Sequence, residues 1–342
     1  MDNKLAINAV AGSGKTKLII KKLSLKKRTC IITYTTANQN SLKERIEARF
    51  GYFPPNIHVF GYWEFLYSFC VTPLIERDFS GIIFDIDIQS KIDRKYNYNT
   101  PSIYMNKYFL TKTFAKWLLN SKINYLDRIN YFFDNLFVDE VQDFASDDLD
   151  WITSLANLSI PVLLVGDFFQ QTYSTSTRGN KNKGIRSDKE RWLNKLRSAG
   201  FDVDETSLIY SQRCAPDICH FIKDSLDIDI RSKENTKNKQ VLLIEKINEI
   251  TEIMKDDKIV KLFFRNSLKY KCVSTNWGLS KGLTFDDICV VLNPTTFKAY
   301  KKNQLTTLAP TTKSKLYVAC TRGTGNLYFV EEKKIPKGFK EP

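Results

Sequence analysis

The sequence predicts an α/β fold in which short apolar strands alternate with helices to build parallel sheets. Three observations carry this expectation. The apolar run Leu5 to Ala9 leads through a small-residue turn into Gly14-Lys15-Thr16, which heads a helix pattern continued by Leu18-Ile19-Ile20. β-rich and helical stretches then alternate: Cys30 to Tyr34 and Ala37 to Phe50, Ile57 to Phe60 and Tyr62 to Cys70, Leu136 to Val138 and Asp147 to Leu158, then Val162 to Val165. The same rhythm restarts beyond Phe201 to Ser207, so the 342 residues divide into two α/β halves, 1–205 and 206–342.

Each half has its irregular pieces. Residues 71–124 mix strand-like and helical fragments, such as Gly81 to Phe84 and Phe114 to Leu119, and read as a small insertion into the first half. Ser174 to Glu190 is polar and basic, including the run Arg178 to Gly184, as expected of an exposed loop. The helix at Trp192 to Ala199 closes the first half. The second half reads as a strand at Leu208 to Tyr210, a helix from Pro216, strands at Val241 to Ile244, Ile259 to Phe264, Cys272 to Ser274 and Ile288 to Leu292, and a helix near Ile247 to Met254. A helix at Lys315 to Thr321 and a strand at Leu327 to Val330 complete it, and the basic tail Lys333 to Pro342 is expected to fray.

Composition narrows the function classes. At 42% hydrophobic residues the chain can bury a core. No apolar run is long enough to span a bilayer, and Met1-Asp2-Asn3-Lys4 runs straight into a strand rather than a secretory leader. The seven cysteines are an odd number with no CxxC pair, which suits a reducing, cytoplasmic setting. Cys214, Cys219 and His220 lie close together but lack the further ligands that a metal site needs. A net charge of +14 fits either a solvated basic face or a polyanionic partner, without choosing between DNA, RNA and an acidic protein.

Three segments carry chemistry. Ala9-Val10-Ala11-Gly12-Ser13-Gly14-Lys15-Thr16 has the form of a phosphate-binding loop. Its glycines let backbone N–H groups turn toward a polyphosphate, Lys15 reaches the outer phosphates, and Thr16 is placed to hold Mg²⁺. In Val138-Asp139-Glu140-Val141-Gln142-Asp143 an apolar strand delivers two adjacent carboxylates. Asp139 suits the Mg²⁺ of a bound nucleotide and Glu140 suits polarising the attacking water. Val165-Gly166-Asp167-Phe168-Phe169-Gln170 also follows a strand, and Gln170 can sense the γ-phosphate or the water. Ligands collect at the carboxyl ends of parallel strands, where all three segments fall.

In this order the segments resemble superfamily 1 helicases of the UvrD/Rep type. Ile32-Thr33-Tyr34-Thr35-Thr36-Ala37 is similar to the family's Thr-Phe-Thr-Asn segment, and Val59-Phe60-Gly61-Tyr62 to its Thr-Phe-His-Ser. Ser211-Gln212-Arg213-Cys214 resembles Asn-Tyr-Arg-Ser, Ser280 to Asp286 the Lys-Gly-Leu-Glu-Phe segment, and Tyr317-Val318-Ala319-Cys320-Thr321-Arg322 the segment Tyr-Val-Ala-x-Thr-Arg. The resemblance runs from Ala9 to Arg322 and implies two RecA-like P-loop NTPase domains in tandem. It also implies Arg213 and Arg322 as arginines that reach nucleotide held by the first domain. A single nucleic-acid strand would cross both domains, with Thr35, Phe60, Trp63, Thr275 and Trp277 as candidate contacts. Trp63 shares a helix with Phe65 and Leu66 and so also suits a core position, and Trp277 suits either role.

The departures fall at the base end of the nucleotide. No glutamine precedes Ala9, Gln212 stands where the family has a base-stacking aromatic, and Thr284 replaces a glutamate. The insertions are also short compared with UvrD or Rep. The resemblance therefore implies an ATP- and Mg²⁺-dependent translocase or 3′→5′ helicase on single-stranded DNA, with RNA left open. Its alternative is a nucleotide-gated DNA-binding regulatory subunit of a nuclease in defence or repair.

Overall fold

The computed structural model describes residues 4–76, 79–85, 87–88, 103–104, 107–172, 184–233 and 239–340. Within it the chain forms two compact units, one of Met1–Ile7, Thr16–Gly166 and Ser174–Asp204, the other of Asn8–Lys15, Asp167–Tyr173 and Glu205–Pro342. Most of the basic run Arg178 to Gly184, and part of the 71–124 stretch, lie outside the described residues.

The first unit is built on a six-stranded sheet of order β3-β2-β7-β8-β1-β9. Its strands are β1 Lys4–Asn8, β2 Thr29–Thr33, β3 Ile57–Gly61, β7 Asn135–Asp139, β8 Val162–Gly166 and β9 Asp202–Asp204. The β2–β3, β2–β7, β7–β8 and β1–β9 pairs are parallel. Every residue of β2 and β8 is buried, as expected of strands covered on both faces by crossover helices. Those helices include α1 Lys15–Lys22 and α2 Thr36–Phe50, followed by the short α3 Tyr62–Glu64. Helix α2 starts where the Thr35 hydroxyl accepts the Asn38 N–H, and it ends at Gly51 in the left-handed region. The helix expected over Tyr62 to Cys70 begins as α3 but widens into a π-helical turn, Phe65–Val71, that buries Phe65, Leu66, Phe69, Cys70 and Val71.

Within the insertion, β4 Gly81–Ile83, β5 Ile103–Tyr104 and β6 Tyr108–Leu110 form a three-stranded sheet. It leads into α4 Thr111–Asn120, which buries Phe114, Ala115 and Leu118. Helices α5 Tyr125–Phe132, α6 Asp147–Ser154 and α7 Lys189–Ser198 complete the unit.

The second unit holds a five-stranded sheet, β12-β16-β15-β13-β14, parallel throughout. Its strands are β12 Val241–Ile244, β13 Val260–Phe263, β14 Ser274–Asn276, β15 Ile288–Leu292 and β16 Leu327–Glu331. A two-stranded parallel ribbon pairs β10 Tyr210–Ser211 with β11 Arg231–Ser232. Helices α8 Pro216–Leu226, α9 Ile247–Lys255, α10 Pro294–Lys301 and α11 Pro310–Cys320 accompany them. β15 is fully buried, and its Ile288, Val290 and Leu292 join Ile218, Ile222, Leu316 and Phe329 in one apolar cluster. Burying each such side chain contributes about 1.5–3 kcal/mol.

Several local expectations are corrected. The strand expected at Cys272 to Ser274 starts only at Ser274 and runs to Asn276. Helix α10 has no counterpart in the sequence reading, although Asn293 caps it through the Thr296 N–H and Pro294 opens it. The tail is docked rather than frayed through Lys340. Tyr270 and Lys340 form a β-bridge, and the Lys271 N–H donates to the Phe339 carbonyl at 2.8 Å.

Candidate nucleotide and nucleic-acid site

In the first unit the two carboxylates stand where β7 ends. Asp139 is buried, and its Oδ1 accepts the Glu140 N–H at 2.9 Å. Glu140 adopts φ 56, ψ 44, a left-handed conformation uncommon for a residue other than glycine. Its Oε2 accepts from Gln142 Nε2, so the turn after the strand fixes both the backbone and the carboxylate of Glu140. Gly166, at the end of β8, leaves the space for this turn. A Cβ there would lie 2.5 Å from Gln142 Oε1 and 2.7 Å from Val141 Cγ1. β2 ends beside β7 at Thr33, whose buried Oγ1 has no hydrogen-bond partner among the described residues. Thr16 is half-buried on the first turn of α1.

In the second unit the loop is bonded to three other segments, at Leu208, Gln212 and Tyr317. The Val10 N–H donates to the Leu208 carbonyl at 2.9 Å, and the Ser13 hydroxyl closes the loop onto the Val10 carbonyl at 2.8 Å. The Gln212 N–H donates to the Gly12 carbonyl at 2.8 Å, and Gln212 Nε2 to the Ser13 carbonyl at 3.1 Å. Gln212 thus grips the loop with both its backbone and its side chain. Gly12 and Gly14 take φ +71 and +94. Lys15, which begins α1, is 9% exposed.

Asp167 is buried and accepts from the Phe169 N–H, Gln170 Nε2 and the Tyr317 hydroxyl at 3.1, 2.8 and 3.1 Å. The two arginines meet carbonyls around the end of α11. Arg213 Nη1 donates to the Thr321 carbonyl at 3.0 Å, and Arg322 Nε donates to the Val318 carbonyl at 2.9 Å. Positive charge beside the carboxyl end of a helix complements its dipole.

The expected nucleic-acid contacts have mixed placements. Thr35 caps α2 and is half-buried. Phe60 and Trp63 are half-buried within an aromatic cluster, Phe60 at 5.3 Å from the Phe65 ring and Trp63 at 4.6 Å from that of Tyr62. Thr275 lies in β14, paired with Leu262 of β13. Trp277 is a correction: it is 0% exposed, its Nε1 donates to the Leu262 carbonyl at 2.8 Å, and its ring packs edge-on to Phe264. An indole whose faces and N–H are all used by the core has no surface on which to stack a base.

The sequence reading missed a cavity of about 540 Å³ in the second unit. It is lined by Arg265, Asn266 and Lys269 beyond β13, by Thr296 and Thr312 in the first turns of α10 and α11, and by Lys340. Thr296 is fully buried, and its Oγ1 has no hydrogen-bond partner among the described residues. Basic side chains beside two helix amino ends favour an anion, while Glu332, which also lines the cavity, opposes one. The signal available in the sequence was Arg265-Asn266 directly after a strand, followed later by Asn293-Pro294, a helix start.

With parallel sheets and a glycine-bearing loop between β1 and α1, the fold is a mixed α/β one of the RecA-like kind. Among solved structures, the chain is similar to the arterivirus nonstructural protein 10 helicase, with 16% identity and a TM-score of 0.50, over 99% of this chain and 62% of that one. The same helicase in complex with DNA gives 16% and 0.50 over 98% and 63% of the two chains. The PRRSV helicase aligns at 13% identity and a TM-score of 0.48 over 98% of this chain and 54% of that one. The chain therefore spans less than two thirds of the length of each of these proteins, and at this identity the likeness is one of fold. No family model and no curated protein matches the chain. Among the described residues, no helix is long and apolar enough to cross a membrane.

Proposed function

We propose that the chain hydrolyses ATP with Mg²⁺ to translocate on single-stranded nucleic acid, as a compact relative of UvrD/Rep-like helicases. The observation that carries this reading is the hydrogen-bonded cluster of the second unit. The phosphate loop, the Asp167–Gln170 turn, the Ser211–Arg213 turn and the end of α11 were each singled out separately in the sequence, and they meet there. A cluster that links a polyphosphate cradle to a glutamine and two arginines suits phosphoryl transfer, in which positioning and charge stabilisation do most of the work.

The residues present fit a magnesium nucleotide. Gly12 and Gly14 give the loop the left-handed turns of a phosphate cradle, and Thr16 and Asp139 supply the hard oxygen donors that Mg²⁺ prefers. Bound Mg²⁺ would neutralise charge on the phosphates. In this reading Lys15 contacts the outer phosphates, Glu140 accepts the proton of the attacking water, and Gln170, held by Asp167, orients that water. Arg213 and Arg322 take up charge that develops on the transferred group. Thr35, Phe60, Trp63 and Thr275 contact the strand, and the cavity around Arg265 and Lys269 seats its phosphates. DNA is the favoured strand because an arterivirus helicase of similar fold is known in complex with DNA. A 3′→5′ direction follows from the UvrD/Rep resemblance alone.

Steady-state ATP hydrolysis, with and without single-stranded DNA or RNA, tests the reading. Nucleic acid is expected to raise turnover in the wild type, and Lys15→Ala and Glu140→Gln each to bring it to background. Wild-type turnover indifferent to both nucleic acids would overturn the motor reading. Stimulated hydrolysis without movement along the strand would favour a nucleotide-gated regulatory subunit.

A further inference from the structure

We propose that Tyr317 is a positioning residue for turnover, its hydroxyl tying the phosphate loop to the turn that carries Gln170. The inference rests on the hydrolytic reading above and adds to it a residue that the sequence placed only as the first letter of an arginine-bearing segment.

Tyr317 lies on α11 and is fully buried. Its oxygen accepts the Ala11 N–H at 2.9 Å and donates its proton to Asp167 Oδ2 at 3.1 Å. That same carboxylate oxygen accepts Gln170 Nε2 at 2.8 Å. One phenol hydroxyl thus serves a loop amide on one side and, on the other, the carboxylate that orients the glutamine. A displacement of the loop at Ala11 reaches Gln170 through three hydrogen bonds, by way of the phenol oxygen and one carboxylate oxygen.

The tyrosine is well anchored for this task. Its ring sits edge-on to Phe169 at 6.2 Å, on the turn between Asp167 and Gln170. Its carbonyl accepts the Thr321 hydroxyl at 2.9 Å, and that hydroxyl oxygen accepts Arg322 Nη2 at 3.1 Å. The last turn of α11 and the two residues after it therefore hold Tyr317 and Arg322 as one piece. Burial, reinforced by the nearby Asp167 charge, pushes the Tyr317 hydroxyl well above its ordinary range, so it stays protonated and able to donate. A phenylalanine would keep the ring and its packing and lose only the relay.

Tyr317→Phe in the full chain separates this role from a purely structural one. Without nucleotide, exchange of the Ala11 amide hydrogen is expected to quicken roughly fivefold, the worth of one ordinary hydrogen bond, with the Val10 amide unchanged. In nucleic-acid-stimulated hydrolysis, kcat is expected to fall about 10- to 100-fold while KM for ATP stays within about twofold, as for a misplaced catalytic group. Asp167→Asn, which weakens the same relay at its other end, is expected to give the same kcat loss. The double variant Tyr317→Phe with Gln170→Ala should turn over no more slowly than Gln170→Ala alone. Unchanged Ala11 exchange, or multiplying losses in the double variant, would overturn the proposal. A wild type with no hydrolysis would instead sink the ATPase reading, and the exchange measurement would still decide whether Tyr317 holds the loop.

Discussion

Gly12→Ala probes how the phosphate loop is seated. Gly12 takes φ +71, a region that costs an L side chain about 1–2 kcal/mol. A Cβ there would stand 2.6 Å from Ser211 Oγ and 2.8 Å from Arg213 Cβ. Neither neighbour gives way freely. The Ser211 hydroxyl accepts the N–H groups of Arg213 and Cys214 at 3.3 and 3.0 Å, and the Cβ of Arg213 moves only with its backbone. Such overpacking adds about 1–3 kcal/mol, so the contact between loop and turn loses about 2–5 kcal/mol in all. Gly51 supplies the control. It takes φ +78 at the end of α2, and a Cβ added there would meet nothing within 4 Å, so Gly51→Ala carries the backbone cost alone, about 1–2 kcal/mol. Urea unfolding followed by tryptophan fluorescence should place Gly12→Ala about 1–3 kcal/mol below Gly51→Ala. Nucleotide affinity should fall in Gly12→Ala and hold in Gly51→Ala. Equal destabilisation of the two variants would refute the close approach of Ser211 and Arg213 to the loop.

Two further outcomes follow from burial and charge. Trp277→Ala is expected to cost about 3–5 kcal/mol in unfolding experiments, because it empties a fully enclosed indole site and strips the Leu262 carbonyl of a donor. Affinity of the folded variant for a fluorescent single strand should hold; lost affinity at unchanged stability would restore Trp277 as a contact. The second outcome concerns Asp134, whose carboxyl is held down to about 2 by hydrogen bonds from the Arg28 side chain and then its backbone N–H. Because the folded value lies below the unfolded 3.8, this stabilisation is fully present above pH 3.8 and is lost as pH falls through about 2. The pair is solvent-exposed, so Asp134→Asn should cost about 1 kcal/mol or less near neutral pH. The gap to wild type should close between about pH 4 and 2; a gap that persists at the acid end would contradict the pairing.

Much of the fold was legible because its signals are local. The strands Val241–Ile244 and Ile288–Leu292 have the bounds expected from their apolar runs, and β8 extends Val162 to Val165 by one residue; β8 and β15 are buried on both faces and so are apolar along their whole length, whereas the edge strand β12 is apolar but only partly covered. Helix α10 escaped because its interior, Thr295-Thr296-Phe297-Lys298-Ala299, shows no regular apolar stripe, and only its Asn-Pro start marks it. The docking of the tail depends on a β-bridge between Tyr270 and Lys340, a pairing that no local pattern encodes.

By itself, then, the sequence determined the alternating strands, the phosphate loop with its glycines, and the carboxylates at the end of β7, because backbone geometry and hydrophobic period are properties of neighbouring residues. Only the tertiary structure decided which side chains meet. It set Tyr317 between Ala11 and Asp167, turned Gln212 onto the loop, enclosed Trp277 in the core, and gathered Arg265, Thr296 and Lys340 around one cavity. Ala11 and Tyr317 are 306 positions apart, and a hydrogen bond across such a separation depends on how the intervening chain packs rather than on either residue's own neighbourhood.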